Sequence, residues 1–313
     1  MPVYIVDKPL GLTSHDLVEE LRCRLGTGRV GHAGTLDPLA TGVLVVLAQG
    51  ATKLSPFLSG SVKHYLARVA FGASTPTLDA EGPVTEVADA RHLSEDRIRA
   101  ALPPFLELTE QVPPQYSAVK RDGIRSHRAA RRGQEVVLPP RAAGYRRIDL
   151  LAFASDPDAL PVAFAPDSAG RWRPDPPGWG FTGPEPLGPY PTALLDLEVE
   201  AGTYVRAFAR DLGIALGVPA HLSSLVRTRA GRFGLDSAQA LGSFDPEVGL
   251  GLAEALPYPL EPIGPEEVRR VRQGQRLPLR REGRHGLIDP AGDLVAVAEG
   301  AGGRMRLLKV FPA

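Results

Sequence analysis

A single carboxylate, Asp37, sits inside the run Gly31-His32-Ala33-Gly34-Thr35-Leu36-Asp37-Pro38-Leu39-Ala40-Thr41-Gly42, between a glycine-rich entry and a proline. Glycines permit tight turns and close approach of a ligand to the backbone. Pro38 pushes the residue before it towards an extended conformation. The acid is thereby held on a stiff loop, and a carboxylate so held can act as a nucleophile or as an acid/base. An isolated Asp-Pro is ordinarily a turn, so the rest of the chain has to supply the reason to read it otherwise. The stretch Ala201-Gly202-Thr203-Tyr204-Val205-Arg206 puts an aromatic and an arginine at a strand-to-helix junction. A helix N-terminus beside a guanidinium suits a carboxylate or phosphate partner. Tyr65 follows Lys63 and His64 in a strand-like segment. His32 suits a catalytic base or, among its small neighbours, a stacking contact with a nucleobase. No second His or carboxylate stands at ligand spacing, so no metal is expected. There is no P-loop, no dinucleotide-binding glycine fingerprint and no Ser-His-Asp context, so no cofactor is expected. A carboxylate without metal or cofactor leaves few reaction classes, and glycosidic-bond chemistry at a sugar carbon is one of them.

The elements that must position these residues are visible as periodicities. Val3-Tyr4-Ile5-Val6 reads as a strand ended by Lys8-Pro9, with a turn at Gly11. Thr13 or Ser14 caps a helix whose apolar face is Leu17, Val18, Leu21 and Leu25, with Gly26 as its stop. Val43 to Leu47 reads as a buried strand that follows the Asp37 loop. His64 to Phe71 reads as a strand, Leu93 to Leu102 as a helix begun by Ser94, and Arg125 to Arg132 as a basic helix. Val136-Val137-Leu138 and Ala193 to Glu200 read as strands. Tyr204 to Leu216 reads as a helix facing the core through Val205, Phe208, Leu212 and Leu216. The segment from about Asp156 to Pro191 is dense in Pro and Gly and reads as an irregular, mobile surface insertion. A linker near Asp245 to Pro265 precedes short strands at Leu277-Pro278-Leu279, Gly286-Leu287-Ile288, Leu294 to Val297 and Arg304 to Phe311, which suggest a small β-barrel.

The chain has 313 residues, 43% of them apolar, enough for a sizeable core and, as a prior, two domains. No apolar run approaches the roughly 20 residues of a membrane span. The N-terminal residues show no basic region followed by an apolar one, so no signal peptide is expected. Cys23 is the only cysteine, which excludes an intrachain disulfide and a multi-cysteine metal site. A cytoplasmic protein is expected. Its 36 basic and 36 acidic residues cancel, which on its own argues against a nucleic-acid binder. Their distribution argues the other way. Lys120, Arg121, Arg125, Arg128, Arg131, Arg132, Arg141, Arg146 and Arg147 crowd a stretch whose only acids are Asp122 and Glu135. Further clusters are Arg227, Arg229 and Arg232, and Arg269 to Arg284. Local basic surface can bind phosphate on a neutral chain.

The Gly31 to Leu44 run resembles the signature of the TruB family of tRNA pseudouridine synthases. Other blocks match in the family's order: Asp7-Lys8-Pro9 with Gly11-Leu12-Thr13-Ser14; Tyr65; Gly72 to Thr75 with Thr77, Asp79 and Gly82; Pro113 to Lys120 with Gly123; Gly202-Thr203-Tyr204-Val205-Arg206; and Leu225-Val226-Arg227-Thr228. The resemblance implies an α+β fold. A catalytic domain over residues 1–247 would hold a central mixed or antiparallel sheet flanked by helices and loops. A small PUA-like RNA-binding β-barrel would occupy residues 248–313. It implies isomerisation of uridine to pseudouridine at position 55 in the TΨC stem-loop of tRNA, by a monomer without cofactor. Asp37 would be the catalytic aspartate, Tyr65 would stack on the flipped base, and Arg206 would pair with Asp37 and aim it. His32, Thr35, Tyr204, Lys8 and Leu225 would bind or support the substrate. Lys120, Arg128, Arg131, Arg132 and Arg227 would bind RNA, the first four in an RNA-clasping insertion over about 120–147. An enzyme that acts on a base must take it from its stack and hold it, which an aromatic serves well.

The chain departs from the family pattern in two places. Ser126-His127 stands where a tyrosine is usual, and Val199-Glu200-Ala201 where Cys-Ser-Lys is usual. Two other readings compete: a guide-RNA-dependent relative working inside a ribonucleoprotein, and an RNA chaperone that needs no catalysis. The Leu39-Ala40-Thr41-Gly42 wording and the absence of basic extensions favour the stand-alone enzyme, and the intact Asp37, Tyr65 and Arg206 set favours catalysis. Charge reversal at Arg128, Arg131 and Arg132 is expected to weaken tRNA binding and to flatten its dependence on salt. A filter-binding titration across salt concentrations that matches the wild type would rule this out.

Overall fold

In a computed structural model the chain is described over residues 1–117, 120–121, 124–125, 137–278 and 281–312. Among these residues a nine-stranded mixed sheet runs through the molecule. Its main path is Tyr145–Ala154, Thr192–Val199, Lys63–Phe71, Ala220–Ala230, Ala40–Ala48, Val3–Lys8 and Gln239–Ala240. Val30–His32 adds to Ala40–Ala48, and Phe233–Gly234 to Ala220–Ala230. The pivotal pairing is parallel: Leu225, Val226 and Arg227 lie opposite Ala40, Thr41 and Gly42. The strand that begins directly after the Asp37 loop is therefore fixed beside the strand that carries Leu225 and Arg227. Gly42 allows the approach. Its φ is +94°, and a Cβ there would stand 2.3 Å from the Arg227 carbonyl oxygen.

Both faces of this sheet are covered, which explains why Ala40–Ala48 is buried at every position. On one face Leu44, Val46, Ala67 and Val69 pack against two helices. The helix Ser14–Arg24 starts with a reciprocal cap, in which Thr13 and Asp16 each accept the other's backbone N–H. The helix Val205–Leu216 turns Val205, Phe208 and Leu212 inward and stops at Gly217 in the left-handed region. The Phe208 ring meets those of Phe105 and Tyr145 at 5.1 and 5.3 Å. The helix expected after Ser94 spans Glu95–Ala101, with Ser94 as its cap.

The other face corrects the reading of the Pro/Gly-rich segment. It forms a three-stranded sheet in the order Trp172–Pro174, Ala163–Pro166, Trp179–Gly180. Phe164 and Trp172 are buried, and they pack in one core with Val43, Val45 and Leu66 of the central sheet. Arg68 lays its guanidinium 4.4 Å from the Phe181 ring and donates to the Pro161 carbonyl at 2.9 Å. Strands of two to four residues give no readable alternation, so composition alone suggested an irregular segment. The expected linker is likewise structured. Leu252 and Ala255, in the helix Leu252–Ala255, and Leu256 join this same core, together with Leu294, Val297 and Phe311.

The C-terminal residues form a four-stranded sheet, Leu260–Pro262, Gly283–Ile288, Leu294–Ala301 and Arg304–Val310, with the helix Pro265–Arg272 against it. Among the described residues no pairing closes it into a barrel. Leu277 and Pro278 belong to no strand, and neither do Val137 and Leu138. Lys120–Arg121 pairs antiparallel with Ile124–Arg125, so Arg125 is in a strand and not in the expected helix. Arg128, Arg131 and Arg132, and the side chain of Lys120, lie outside the described residues. Among the described residues no helix is long and apolar enough to cross a membrane.

Phe208 is fully buried at the centre of the aromatic cluster. Phe208→Ala is expected to cost about 3–5 kcal/mol of unfolding free energy. Urea denaturation measures this, and a loss below about 1 kcal/mol would contradict the packing described.

Candidate active site

The Asp37 loop is held by its own carbonyls. Arg227 donates through Nη2 to Gly34 O at 3.1 Å and through Nη1 to Thr35 O at 3.2 Å. Its Nε donates to Val43 O at 2.7 Å. Ser14 Oγ donates to Leu36 O at 3.0 Å and accepts the Leu36 N–H at 2.8 Å. The Ala40 N–H closes a turn on Asp37 O. Pro38 O accepts from the Gly11 N–H at 2.9 Å and from Lys8 Nζ at 3.4 Å. Each carbonyl from Gly34 to Pro38 therefore has a partner, and buried Leu36 and Leu39 pin the loop from below. With the backbone so occupied, the loop presents the Thr35 and Asp37 side chains outward.

It meets Arg206 at the first turn of the helix Val205–Leu216. Arg206 Nη2 donates to Asp37 Oδ1 at 3.0 Å, and Arg206 Nε stands 2.9 Å from Asp37 Oδ2. The guanidinium side chain is 6% exposed and the carboxylate 36%, so the pair is open on the acid's side. The inner side of Arg206 is also occupied. Nη1 lies 3.4 Å from Oδ2 of buried Asp79 and donates to Thr77 O, while Nη2 donates to Tyr116 O, each at 3.0 Å. Asp79 Oδ1 accepts from Thr77 Oγ1 at 2.6 Å and from the Glu81 N–H at 3.1 Å. Burial raises the Asp79 carboxyl above the usual range, against the pull of Thr77 and Arg206. Leu78, beside it, has φ +63°, a left-handed conformation costing about 1–3 kcal/mol. Its N–H and carbonyl are bonded to Thr75 O and Leu222 N–H, which hold the strained turn in place.

These groups border a cavity of about 260 Å³, below the roughly 300–1,000 Å³ of drug-sized ligand sites. Asp37, Thr35, Tyr65, Tyr204, Arg206 and Leu225 line it. Four distant segments bring them together, and the two ends of the Asp37–Arg206 pair are 169 residues apart. The Tyr204 N–H is bonded by Gln111 Oε1 at 3.0 Å, and Gln111 Nε2 donates to the Tyr145 hydroxyl at 2.7 Å. Burial pushes the Tyr204 hydroxyl above its usual range, with Ser117 nearby pulling the other way.

Two expected site residues, Lys8 and His32, stand outside the cavity lining, and Arg227 lines it from a buried position. Lys8 is wholly buried and spends its ammonium on Pro9, Leu12 and Pro38 carbonyls, so it positions the loop. Arg227, expected on an RNA-binding surface, is 1% exposed and serves the loop in the same way. His32 is half-buried on the strand Val30–His32, outside the cavity lining, and burial and Arg227 lower its pKa, so it is neutral at pH 7. Asp79 had no role in the sequence reading although it fell within a matching block. The spacing Thr77-x-Asp79, a short acceptor donor pair next to a strained turn, was the available signal. Lys63 also lines the cavity, with Nζ bonded to the Ser59 and Ser61 carbonyls at 2.5 Å.

A family model for the TruB family pseudouridylate synthase N-terminal domain matches residues 22–166. A second, for the tRNA pseudouridine synthase II C-terminal region, matches residues 258–312. The chain is 52% identical over 311 residues to the tRNA pseudouridine synthase B of Thermus thermophilus, covering 99% of each. It is 47% identical to that of Deinococcus deserti, covering 99% of this chain and 100% of the relative. Among solved structures, an H/ACA RNP bound to a substrate RNA containing 2'-deoxyuridine superposes with a TM-score of 0.66 at 21% identity. That match covers 100% of this chain and 85% of the other, and at this identity it speaks to the fold alone.

Burial, with Arg227 adding to it, lowers the Lys63 pKa from 10.5 to about 8. The folded chain then loses this proton near pH 8 and the unfolded chain near 10.5, so between these values the unfolded state binds more protons and stability rises with pH. The cost of the buried ammonium is in full force below the lower value and gone above the upper one. Relative to Lys63→Met, the wild type is expected to gain stability across this window in urea unfolding at stepped pH. A difference that stays flat would contradict it.

Proposed function

The chain belongs to the TruB family of pseudouridylate synthases, and from that premise we propose how its site works. The protein is an enzyme that isomerises uridine to pseudouridine in tRNA. Its target is uridine 55 of the TΨC arm, and it acts as a monomer in the cytoplasm. The C-terminal residues from 248 onward serve as a PUA-like RNA-binding part. The observation that carries this reading is the Asp37 carboxylate, backed by Arg206 and facing a cavity of nucleoside size lined by Tyr65 and Tyr204.

A uridine inside an RNA stem-loop has no reactive atom within reach of a recessed carboxylate, so the nucleotide must first leave its stack. In the cavity Tyr65 lies against the base and Leu225 closes the apolar side. Asp37 then attacks or electrostatically assists at the nucleoside while the bond from N1 to the ribose breaks. The freed uracil turns, C5 bonds to the ribose carbon, and the proton on C5 departs, with Tyr65 placed to help remove it. Arg206 faces Asp37 through two of its nitrogens, so its part is to aim Asp37 and stabilise its charge. Asp79 holds the far side of Arg206. It is a positioning residue, since it is buried behind the guanidinium.

Tritium release from carbon-5-labelled uridine in a tRNA transcript tests the proposal. Asp37→Ala and a transcript with cytidine at position 55 are each expected to abolish release, and activity surviving either change would reject the assignment. Asp79→Asn is expected to slow single-turnover release by about 10–100-fold while tRNA binding stays within a factor of about two. An equal loss of binding would place Asp79 in substrate recognition instead.

A further inference from the structure

Arg206 is the second residue of its helix, so where that helix begins decides where its guanidinium points. A start that slipped by one residue in register would turn the side chain about 100° around the axis, away from Asp37. The usual device for fixing a start is a Ser, Thr, Asp or Asn side chain just before the first turn. Here that position is Tyr204, whose side chain caps nothing, and the first turn holds no acid. The fixing groups come from elsewhere in the chain. Thr203 Oγ1 accepts the Gly144 N–H at 3.0 Å and donates to the Gly144 carbonyl at 3.2 Å. Gln111 Oε1 accepts the Tyr204 N–H at 3.0 Å, and Gln111 Nε2 donates to the Tyr145 hydroxyl at 2.7 Å. Gly144 and Tyr145 are neighbours at the head of the edge strand Tyr145–Ala154, so the helix start is docked on one margin of the central sheet.

The Gln111 amide is committed in direction. A backbone N–H can only donate, so the amide oxygen faces Tyr204 and the amide nitrogen faces Tyr145. Gln111 and Tyr145 are both buried, which shields the two bonds from solvent. The segment that carries Gln111 is held without them. Gln111 lies opposite Arg141 in the antiparallel pair of Glu110–Gln111 with Arg141–Ala142, and Arg210 Nη2 donates to the Val112 carbonyl at 3.0 Å. At the far end the Tyr145 ring is set by Phe105 and Phe208. What the amide adds is therefore the placement of Tyr204. We infer that Gln111 is a positioning residue for the reaction: its amide replaces the missing cap and fixes the helix start so that Tyr204 and Arg206 both face the cavity with Asp37. Gln111 itself does not line that cavity. The inference rests on the reading of Asp37 as the catalytic acid aimed by Arg206.

The test compares Q111M, which keeps the length of the side chain and removes both bonds, with Q111E. The glutamate keeps an oxygen for the Tyr204 N–H, and the Tyr145 hydroxyl can turn to donate to the other. F105L loosens the same aromatic cluster without touching the amide, and Asp37→Asn is the control for the underlying reading. Single-turnover tritium release at saturating tRNA, tRNA Kd and melting temperature are measured for each. Q111M is expected to slow the chemical step about tenfold with Kd unchanged. Q111E is expected to recover most of that rate although it melts below the wild type. F105L is expected to lower the melting temperature and leave the rate unchanged. If Q111M does not fold, Q111N, whose shorter amide cannot span both partners, takes its place with the same expectations. The inference is overturned by a wild-type rate in Q111M, by a Q111E as slow as Q111M, by a matching slowdown in F105L, or by a loss of tRNA binding that accounts for the slowdown. Asp37→Asn that retained full activity would remove the underlying reading instead, whatever Q111M did.

Discussion

One guanidinium between two carboxylates is the constraint from which the site follows. Arg206 is nearly sealed in protein, and a charge placed there without partners would cost several kcal/mol. Asp79 meets that requirement on the inner side and Asp37 on the outer. The arrangement divides the labour by depth: the acid that packs behind the guanidinium is fully occupied by it and by Thr77, and the acid in front keeps one side to solvent. The left-handed turn at Leu78, the abrupt helix start after Tyr204 and the clamped carbonyls from Gly34 to Pro38 all serve to bring these three groups to one place. Loss of Arg206 would leave the buried Asp79 carboxylate unmatched.

The remaining cations nearby are used differently. Lys8, Lys63 and Arg227 are all buried, and all are held by backbone oxygens. Because none of them takes a carboxylate, none competes with Arg206 for Asp37. Arg227 and Arg206 have the same side chain and opposite purposes, one tying down a loop and the other answering an acid. The difference lies in what each faces: the parallel pairing of Arg227 with Gly42 points it under the loop, and the helix start points Arg206 at its tip.

The settings of Asp37 and Arg206 were legible in the sequence because they are locally distinctive. Gly and Pro around Asp37 mark a rigid loop, and Gly-Thr-Tyr-Val-Arg marks a strand-to-helix junction. Long elements were legible for the same reason, from Thr13 capping one helix to the apolar spacing of Val205, Phe208 and Leu212. What could not be read was partnership. Arg227 sits in a basic cluster along the chain and is buried in space, and Lys8 next to Pro9 looks like a surface residue until Pro38 is folded over it. The strand Ala220–Ala230 was overlooked because it is buried on both sides and carries charged and hydroxyl residues among its apolar ones. Asp79 was overlooked because its role exists only once Arg206 has arrived from far along the chain. The three short strands of the Pro/Gly-rich segment are held by aromatic packing that no window of that length can reveal.

The placement of Ala220–Ala230 between Lys63–Phe71 and Ala40–Ala48 has a consequence for the order in which the molecule can be made. During synthesis its two neighbours leave the ribosome long before it does, and they cannot pair with one another in the native order, because the position between them belongs to a strand still to come. The central sheet therefore has to wait, with two hydrophobic edges open, until most of the chain is present. Domains generally fold as units and slow, long-range pairings leave such edges exposed. The early strands are the ones a nascent-chain chaperone would meet, and a chain cut short before Ala220 would hold Asp37 with neither the strand beside its loop nor a closed sheet beneath it.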